Sequence, residues 1–465
     1  MSRGHPLRIA VALTHALHVR NFVASGCLER LSGRGHALTL ILQAFARPEV
    51  ERETATWPAR PALEPLEPVL PDRLRRWVRG WSHVGSFVHR RRFKTYRHKI
   101  RMGARLGSPG FALKVGLALA LERVGDIEAF WRRVEAAFPP APAASALLGR
   151  LRPDVFFAPT LVHDGREVEL VKAARTLGVP TVGFAASWDT LTSKGAFYTP
   201  PDHLLVWGQE NRDQAVSHHG FAVDRVEVTG TPQFDMYGRD EPMEPRPAFL
   251  ERRGIAPDTR VLLFAGTTVT YWEDEPQLLR ALSAAIAQGE LKDCVVWYRP
   301  HPRRPLREIA DVTALPHVVL DDQMARHKAE ASSAYSARRE DLRHYRGLME
   351  AVDGVITAFS TMIVEAALLG KPSLVIGFGV DVARAGRLIQ HAEYEHSVEL
   401  LATPGVTMCR SLDELTGELR RLLAGEYAVH APALRARAEA IAHNLDGRAR
   451  DRIVAALERI GSTGR

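Results

Sequence analysis

The sequence predicts an α/β fold of two domains, each a parallel sheet covered by helices. At 465 residues, 46% of them hydrophobic, the chain can bury two cores and is long for one. Apolar strand-like runs alternate with apolar residues at helical spacing in both halves, the pattern of repeated βαβ units. The clearest unit spans 355–376. A β-branched strand turns through 358–361 into a helix with Met362, Ile363, Ala366, Ala367 and Leu369 on its apolar positions, and Ser373–Ile376 is the next strand. Gly370 suits the left-handed position that ends a helix, and Pro372 forbids its continuation.

Taken in order, 7–13 reads as a buried strand, 14–21 as a loop, 22–32 as a helix and Ala37–Leu42 as a second strand. The three-glycine dinucleotide fingerprint is missing here, so no nicotinamide cofactor is expected. Residues 73–105 carry twelve Lys or Arg and no Asp or Glu, an excess larger than the whole chain's net charge of +8. Trp77, Trp81, Phe87, Phe93 and Tyr96 are interleaved with them. That composition fits an anionic membrane surface, a groove for an anionic glycan or lipid phosphate, or nucleic acid. No nucleic-acid motif accompanies it, so membrane or acceptor contact through Arg90, Arg91 and Arg92 ranks first.

A long helix is expected over 111–138, followed by a return to the sheet at 151–159, a helix at 166–177 and the strand Thr181–Ala185. The next loop, 187–195, contains Trp188, Asp189 and Lys194. A strand at 202–207, a helix at 210–219 and the segment 225–235 close the first half, and the Pro-rich stretch 239–247 reads as a linker. Cys27, Cys294 and Cys409 are too few and too scattered for a disulfide framework or a zinc site, which fits a reducing compartment. No apolar signal-peptide core opens the chain and no run reaches the roughly eighteen apolar residues of a membrane span. A cytoplasmic protein, peripheral on the membrane at most, is expected.

The second half opens with a strand and a small-residue turn at 260–268, where Gly266 and Thr267 let a phosphate approach the backbone. A helix at 275–288 and the strand 295–298 follow. The strand ends in Arg299-Pro300-His301-Pro302-Arg303, a histidine held between two prolines with a cation on either side, which suits a phosphate or pyrophosphate. Ser360 and Thr361 open the helix of the 355–376 unit, where an anion is favoured, and Glu365 lies about one turn on, suited to sugar hydroxyls. Ser360 also reads as a plain N-cap and Glu365 as a solvated helix residue. Residues 324–346 read as a charged helix without chemistry, and 431–465 as closing helices.

The Arg-Pro-His-Pro loop at 299–302, the Ser360-Thr361 turn and the helix ending Leu-Leu-Gly-Lys-Pro at 368–372 resemble the nucleotide half of GT-B glycosyltransferases. The likeness is to bacterial surface-polysaccharide enzymes: capsule Kdo transferases, polysialyltransferases and CDP-glycerol glycerophosphotransferases. It covers roughly 180–380. It implies two Rossmann-like domains facing a cleft, an acceptor side at 1–238 with a basic helical insertion at 45–150, a donor side at 248–430, and a final segment, 431–465, that returns to the first domain. By the same resemblance a nucleotide-activated sugar or polyol phosphate is the donor, a glycan or lipid-linked molecule the acceptor, and no metal is required. Gly266, Thr267, Arg299, His301, Arg303, Ser360, Thr361 and Glu365 would hold the donor. His15, His18, Arg20, Trp188 and Lys194 would face the acceptor. Asp189, Asp235, Asp164 and His15 are the candidates for taking the acceptor's proton. Asp164 follows His163 where some sialyltransferases carry a second acidic residue. A nucleotide-sugar 2-epimerase of the same fold, and a membrane- or glycan-binding protein that has lost activity, are the alternatives.

Overall fold

The computed structural model describes residues 5–105, 109–160, 164–238, 244–268, 272–301, 304, 309–321, 323–324, 339–379, 388–443 and 445–463. The chain divides into two compact units, Met1–Asp235 with Arg448–Arg465, and Met236–Gly447. The expected linker at 239–247 lies largely outside the described residues, as does most of the charged segment 324–346.

The first unit is built on seven parallel strands: β1 (Arg8–Leu13), β2 (Ala37–Leu42), β3 (Ala62–Pro65), β4 (Val155–Thr160), β5 (Thr181–Ala185), β6 (His203–Val206) and β7 (Val226–Val228). Their order is β3-β2-β1-β4-β5-β6-β7, so the winding reverses between β1 and β4. β1 is buried at every position from Ile9 to Leu13, as a parallel strand covered on both faces must be. After β1 the chain makes a π-helical turn, Val19–Ala24, then α1 (Cys27–Gly33), where a single helix over 22–32 was expected. Phe22 drops from that turn edge-on between Phe157 and Phe184, with both ring centroids 5.2 Å away.

Between β3 and β4 lies a helical insertion: α2 (Arg73–His89), α3 (Lys94–Arg105), α4 (Pro109–Val124), α5 (Ile127–Ala137) and α6 (Pro142–Leu151). The single helix expected over 111–138 is thus two, because Asp126 caps α5 by accepting from the backbone N–H groups of Glu128 and Ala129. α7 (Gly165–Thr176) and α8 (Gln209–His219) cover the sheet further on.

The second unit has six parallel strands, β8 (Arg260–Ala265), β9 (Cys294–Arg299), β10 (Val318–Leu320), β11 (Gly354–Thr357), β12 (Ser373–Ile376) and β13 (Val406–Cys409), in the order β10-β9-β8-β11-β12-β13. This is the nucleotide-binding Rossmann order, with its switch point between β8 and β11. Its helices include α9 (Glu275–Ala287), α10 (Arg339–Ala351), α11 (Met362–Leu368), α12 (Leu412–Leu423) and α13 (Ala431–Ala442). Gly370 ends α11 at φ 70°, the left-handed conformation its sequence position predicted. α13 packs on α11 inside the second unit, and only the last helix, α14 (Ala449–Thr463), belongs to the first. There it lies along α1, with Arg34 and His36 both on Glu458 at 2.7 and 2.9 Å.

Candidate functional site

At the switch point of the second sheet the loops after β8, β9 and β11 emerge from one edge. The Thr357 hydroxyl donates to the Ala265 carbonyl at 3.0 Å, tying the ends of β11 and β8 together. Gly266 follows at once, and a Cβ there would lie 2.7 Å from Glu275 Oε2 and 3.2 Å from both the His301 nitrogen and Pro300 Cα. Only glycine lets the β8 and β9 loops meet this closely.

A buried network locks them. Glu275, fully buried, accepts from the Thr267 hydroxyl at 3.1 Å, from the Tyr298 hydroxyl at 2.8 Å, and pairs with Arg304 at 3.0 Å. Arg304, 1% exposed, also donates to the Trp272 carbonyl at 2.6 Å. Burial pushes the Glu275 carboxyl above its ordinary range, against the pull of Arg304 and the two hydroxyls. Thr267 is therefore engaged with Glu275, while the half-exposed His301 sits at the end of the loop this network fixes. Neither Glu275 nor Arg304 was singled out from sequence. Tyr298 in β9 was the available signal, since a hydroxyl in a buried strand needs a partner.

Arg299 is held by partners within the second unit. Its guanidinium donates to Asp321 and Gln323, both at 2.8 Å, and lies over the Tyr345 ring at 4.7 Å. Burial alone would raise the Asp321 carboxyl, but Arg299 and His344 together hold it well below the usual carboxylate range. Glu365 is likewise committed: 4% exposed, it accepts from the Tyr237 hydroxyl at 2.9 Å and the Tyr345 hydroxyl at 2.6 Å. Both residues are thus held by side chains of their own unit, Glu365 buried where the sequence also allowed a solvated helix residue. Ser360 Oγ accepts from the Met362 N–H at 3.2 Å, and Thr361 makes no side-chain cap bond. α11 is only seven residues long, so the helix opening contributes less to an anion than the sequence suggested. Arg303 lies outside the described residues.

In the first unit, the switch point falls beside the loop after β1. Thr14, His18 and Asn21 are buried there, at 2%, 0% and 1% exposure, and their side-chain polar atoms have no hydrogen-bond partner among the described residues. Buried polar groups are ordinarily satisfied, so three orphans at one strand end mark a place that water or a ligand completes. Burial, helped by the charge of His15, lowers the His18 pKa to about 3, so its ring is neutral at physiological pH. His15 Nδ1 accepts from the Leu17 N–H at 3.1 Å, which orients the ring at the start of the loop. Arg20 is half-exposed on the π-helical turn.

The loop after β5 carries Asp189, half-exposed, whose carboxylate accepts from Ser193 Oγ at 2.8 Å and pairs with Lys194 at 3.5 Å. It makes no capping bond. Trp188 beside it is buried at 4%, and its carbonyl accepts from the Asn211 side chain at 2.9 Å. The insertion buttresses this loop: the Tyr96 hydroxyl accepts from the Gly195 N–H at 3.2 Å, and Lys99 donates to the Ser193 carbonyl. Burial, and then the charge of Lys194, lowers the Lys99 pKa to about 8.

The other two carboxylates cap helices. Asp164 caps α7 through the N–H of Arg166 at 2.8 Å. Asp235, fully buried, caps α14 through the N–H groups of Ala449 and Arg450 at 3.0 and 2.7 Å. The basic insertion is also less basic at its surface than in sequence. Arg75 and Arg79 pair with Glu169, Arg79 also with Glu135, and Arg90, 3% exposed, with Glu128. Arg91 and Arg92 remain exposed.

Two Rossmann-like units, each a parallel sheet with its loops at the carboxyl ends of the strands, define the GT-B fold. A sequence model of the CDP-glycerol:poly(glycerophosphate) glycerophosphotransferases matches residues 197–459, more than half of the chain, and the chain belongs to that family. Among solved structures it is similar to UDP-GlcNAc 2-epimerase from Neisseria meningitidis bound to UDP-GlcNAc, at 11% identity and TM-score 0.55, covering 97% of this chain and 99% of that one. It is also similar to the kitacinnamycin glycosyltransferase (13%, TM-score 0.52, 98% and 100%) and to CalG4, the calicheamicin glycosyltransferase (13%, TM-score 0.51, 98% and 98%). At such identities the likeness is one of fold. No curated protein matches the chain.

Proposed function

We propose that this protein transfers a glycerol-phosphate unit from CDP-glycerol, or a closely related nucleotide-activated polyol or sugar, to a hydroxyl of a surface-polysaccharide or lipid-linked acceptor at the membrane. The carrying observation is the close approach of the β8 and β9 loops at Gly266, which fixes the loop carrying His301 at the same end of the sheet as the Ser360-Thr361 turn, at a Rossmann switch point in a chain of this family. In this reading His301, Ser360, Thr361 and Arg303 take the donor phosphates, with Gly266 allowing close backbone approach. The acceptor lies with the first unit, where Thr14, His18 and Asn21 offer unpaired polar groups to hydroxyls.

The acceptor oxygen attacks the glycerol-bearing phosphorus, the bond from that phosphorus to the CMP oxygen breaks, and the acceptor proton passes to Asp189. Of the four candidates for that role, Asp164 and Asp235 are helix caps and His15 Nδ1 is taken up by the Leu17 N–H, so the half-exposed Asp189, which caps nothing, is assigned it. Histidine, hydroxyls and arginine meet the charge on the departing CMP, so transfer proceeds without a metal and survives excess EDTA.

Thermal unfolding in the presence of CDP, CMP, UDP, GDP and ADP tests the donor, since a ligand that binds the native state alone raises the midpoint. A shift with the cytidine nucleotides that His301→Ala removes is the expected result. A shift with uridine nucleotides alone would replace CDP-glycerol by a UDP-sugar, and no shift with any nucleotide would overturn the transferase reading.

A further inference from the structure

We infer that α4 lies flat on an anionic bilayer as the protein's membrane-docking helix. Its sequence, PGFALKVGLALALERV, is apolar nearly all round, and a helix of that kind is ordinarily buried. Here its inner side rests on the insertion, with Ala118 packed against Val88 and Ile127, but most of the helix faces outward. Leu113, Leu117, Leu121 and Val124 are 59%, 45%, 40% and 83% exposed. They recur every three or four residues, so they form one stripe along the outer face, with Ala112, Gly116 and Ala120 exposed between them.

The charges of α4 do not interrupt the stripe. Glu122 is drawn sideways to His89 at 3.1 Å and Arg91 at 3.6 Å, and Lys114 lies over the Trp81 ring at 5.5 Å. Arg123 stands exposed at the helix end, where its stem can reach headgroups. Trp77, 60% exposed, leans on Trp81 at 5.5 Å and so continues the apolar surface onto α2, together with the exposed Leu74. On the neighbouring α2 and α3 Arg73, Arg76, Arg97 and Arg101 are exposed, while Arg75, Arg79 and Arg90 are held by internal carboxylates.

An apolar face continued by an exposed tryptophan, with exposed arginines on the adjoining helices, is complementary to an anionic lipid surface. At sixteen residues, about 24 Å long, α4 is too short to cross a bilayer but long enough to lie in its interface. No helix among the described residues is long and apolar enough to span. The contact is thus α4 with the rim of α2 and α3, not the basic run as a whole. This deepens the reading of a membrane-presented acceptor, but its test uses no nucleotide and stands or fails separately.

The test is co-sedimentation of the full chain with phosphatidylcholine vesicles, with and without phosphatidylglycerol, for the wild type, Leu113→Glu/Leu117→Glu and Arg73→Gln/Arg76→Gln. Light scattering gives the mass of each, and circular dichroism checks that the exposed substitutions leave the fold intact. Binding to the anionic vesicles is expected to fall at least about tenfold in the leucine variant and to weaken in the arginine variant and in high salt. Absence of wild-type binding, or binding that the leucine variant retains, overturns the inference. A wild-type dimer that this variant converts to monomer also overturns it, assigning the face to a second copy of the chain.

Discussion

Tyr345 donates its hydroxyl to Glu365 at 2.6 Å, and the face of its ring lies under the Arg299 guanidinium at 4.7 Å. One tyrosine thus couples the helix after the Ser360-Thr361 turn to the strand that presents His301. Tyr345→Phe keeps the ring and removes the bond, leaving a nearly buried carboxylate short of a donor, a loss of about 1–2 kcal/mol. The expected result is a lower unfolding midpoint together with a raised KM for the donor and a smaller change in kcat. An unchanged KM would show that the two loops are held independently of this residue.

Gly266→Ala tests the close approach of the β8 and β9 loops. The new methyl would sit 3.2 Å from two backbone atoms of the neighbouring loop, which cannot swing away as a side-chain end can. A stability loss of roughly 1–3 kcal/mol and loss of the nucleotide-induced thermal shift are expected. A folded variant that still binds nucleotide normally would separate Gly266 from the donor site.

Asp189 and Asp235 are expected to part company on substitution. Asp189→Asn keeps the Ser193 contact and the fold, retains the nucleotide-induced shift and loses transfer by about 100-fold or more. Asp235→Ala strips the cap from α14 and leaves Arg450 without its buried carboxylate, a loss of roughly 3 kcal/mol. Unfolding in urea and a transfer assay on both variants distinguish the two roles, and an active Asp189→Asn enzyme would remove that residue from the chemistry.

His18 makes stability depend on pH. Its folded pKa is about 3 against the ordinary 6.5, chiefly through burial, so between those values the unfolded chain binds one more proton than the native protein. Stability contributed by the neutral ring is fully present above pH 6.5 and falls by about 1.4 kcal/mol per unit as pH drops through that window. His18→Gln removes this term, so its unfolding free energy should change less steeply between pH 6.5 and 4 than that of the wild type. Equal slopes would mean that the ring is hydrated and titrates normally.

The sequence by itself determined the parallel α/β architecture, the two sheets and which loops leave the carboxyl ends of the strands. Apolar periodicity and the punctuation by glycine and proline are local properties, so 355–376 could be read as strand, turn, helix and strand from its own residues. It did not determine how the polar side chains in those loops are spent, because each pairing depends on a partner far away in the chain. Glu365 meets Tyr237 across 128 positions, and Asp235 caps a helix that begins 214 positions later. The same limit hid Glu275 and Arg304, whose pairing exists only once β8 and β9 lie side by side, and made the insertion look more basic than its surface is. Even the exposure of α4 was decided there: its composition says that it is apolar, but only the packing of α2, α3 and α5 against one side of it leaves the other side bare.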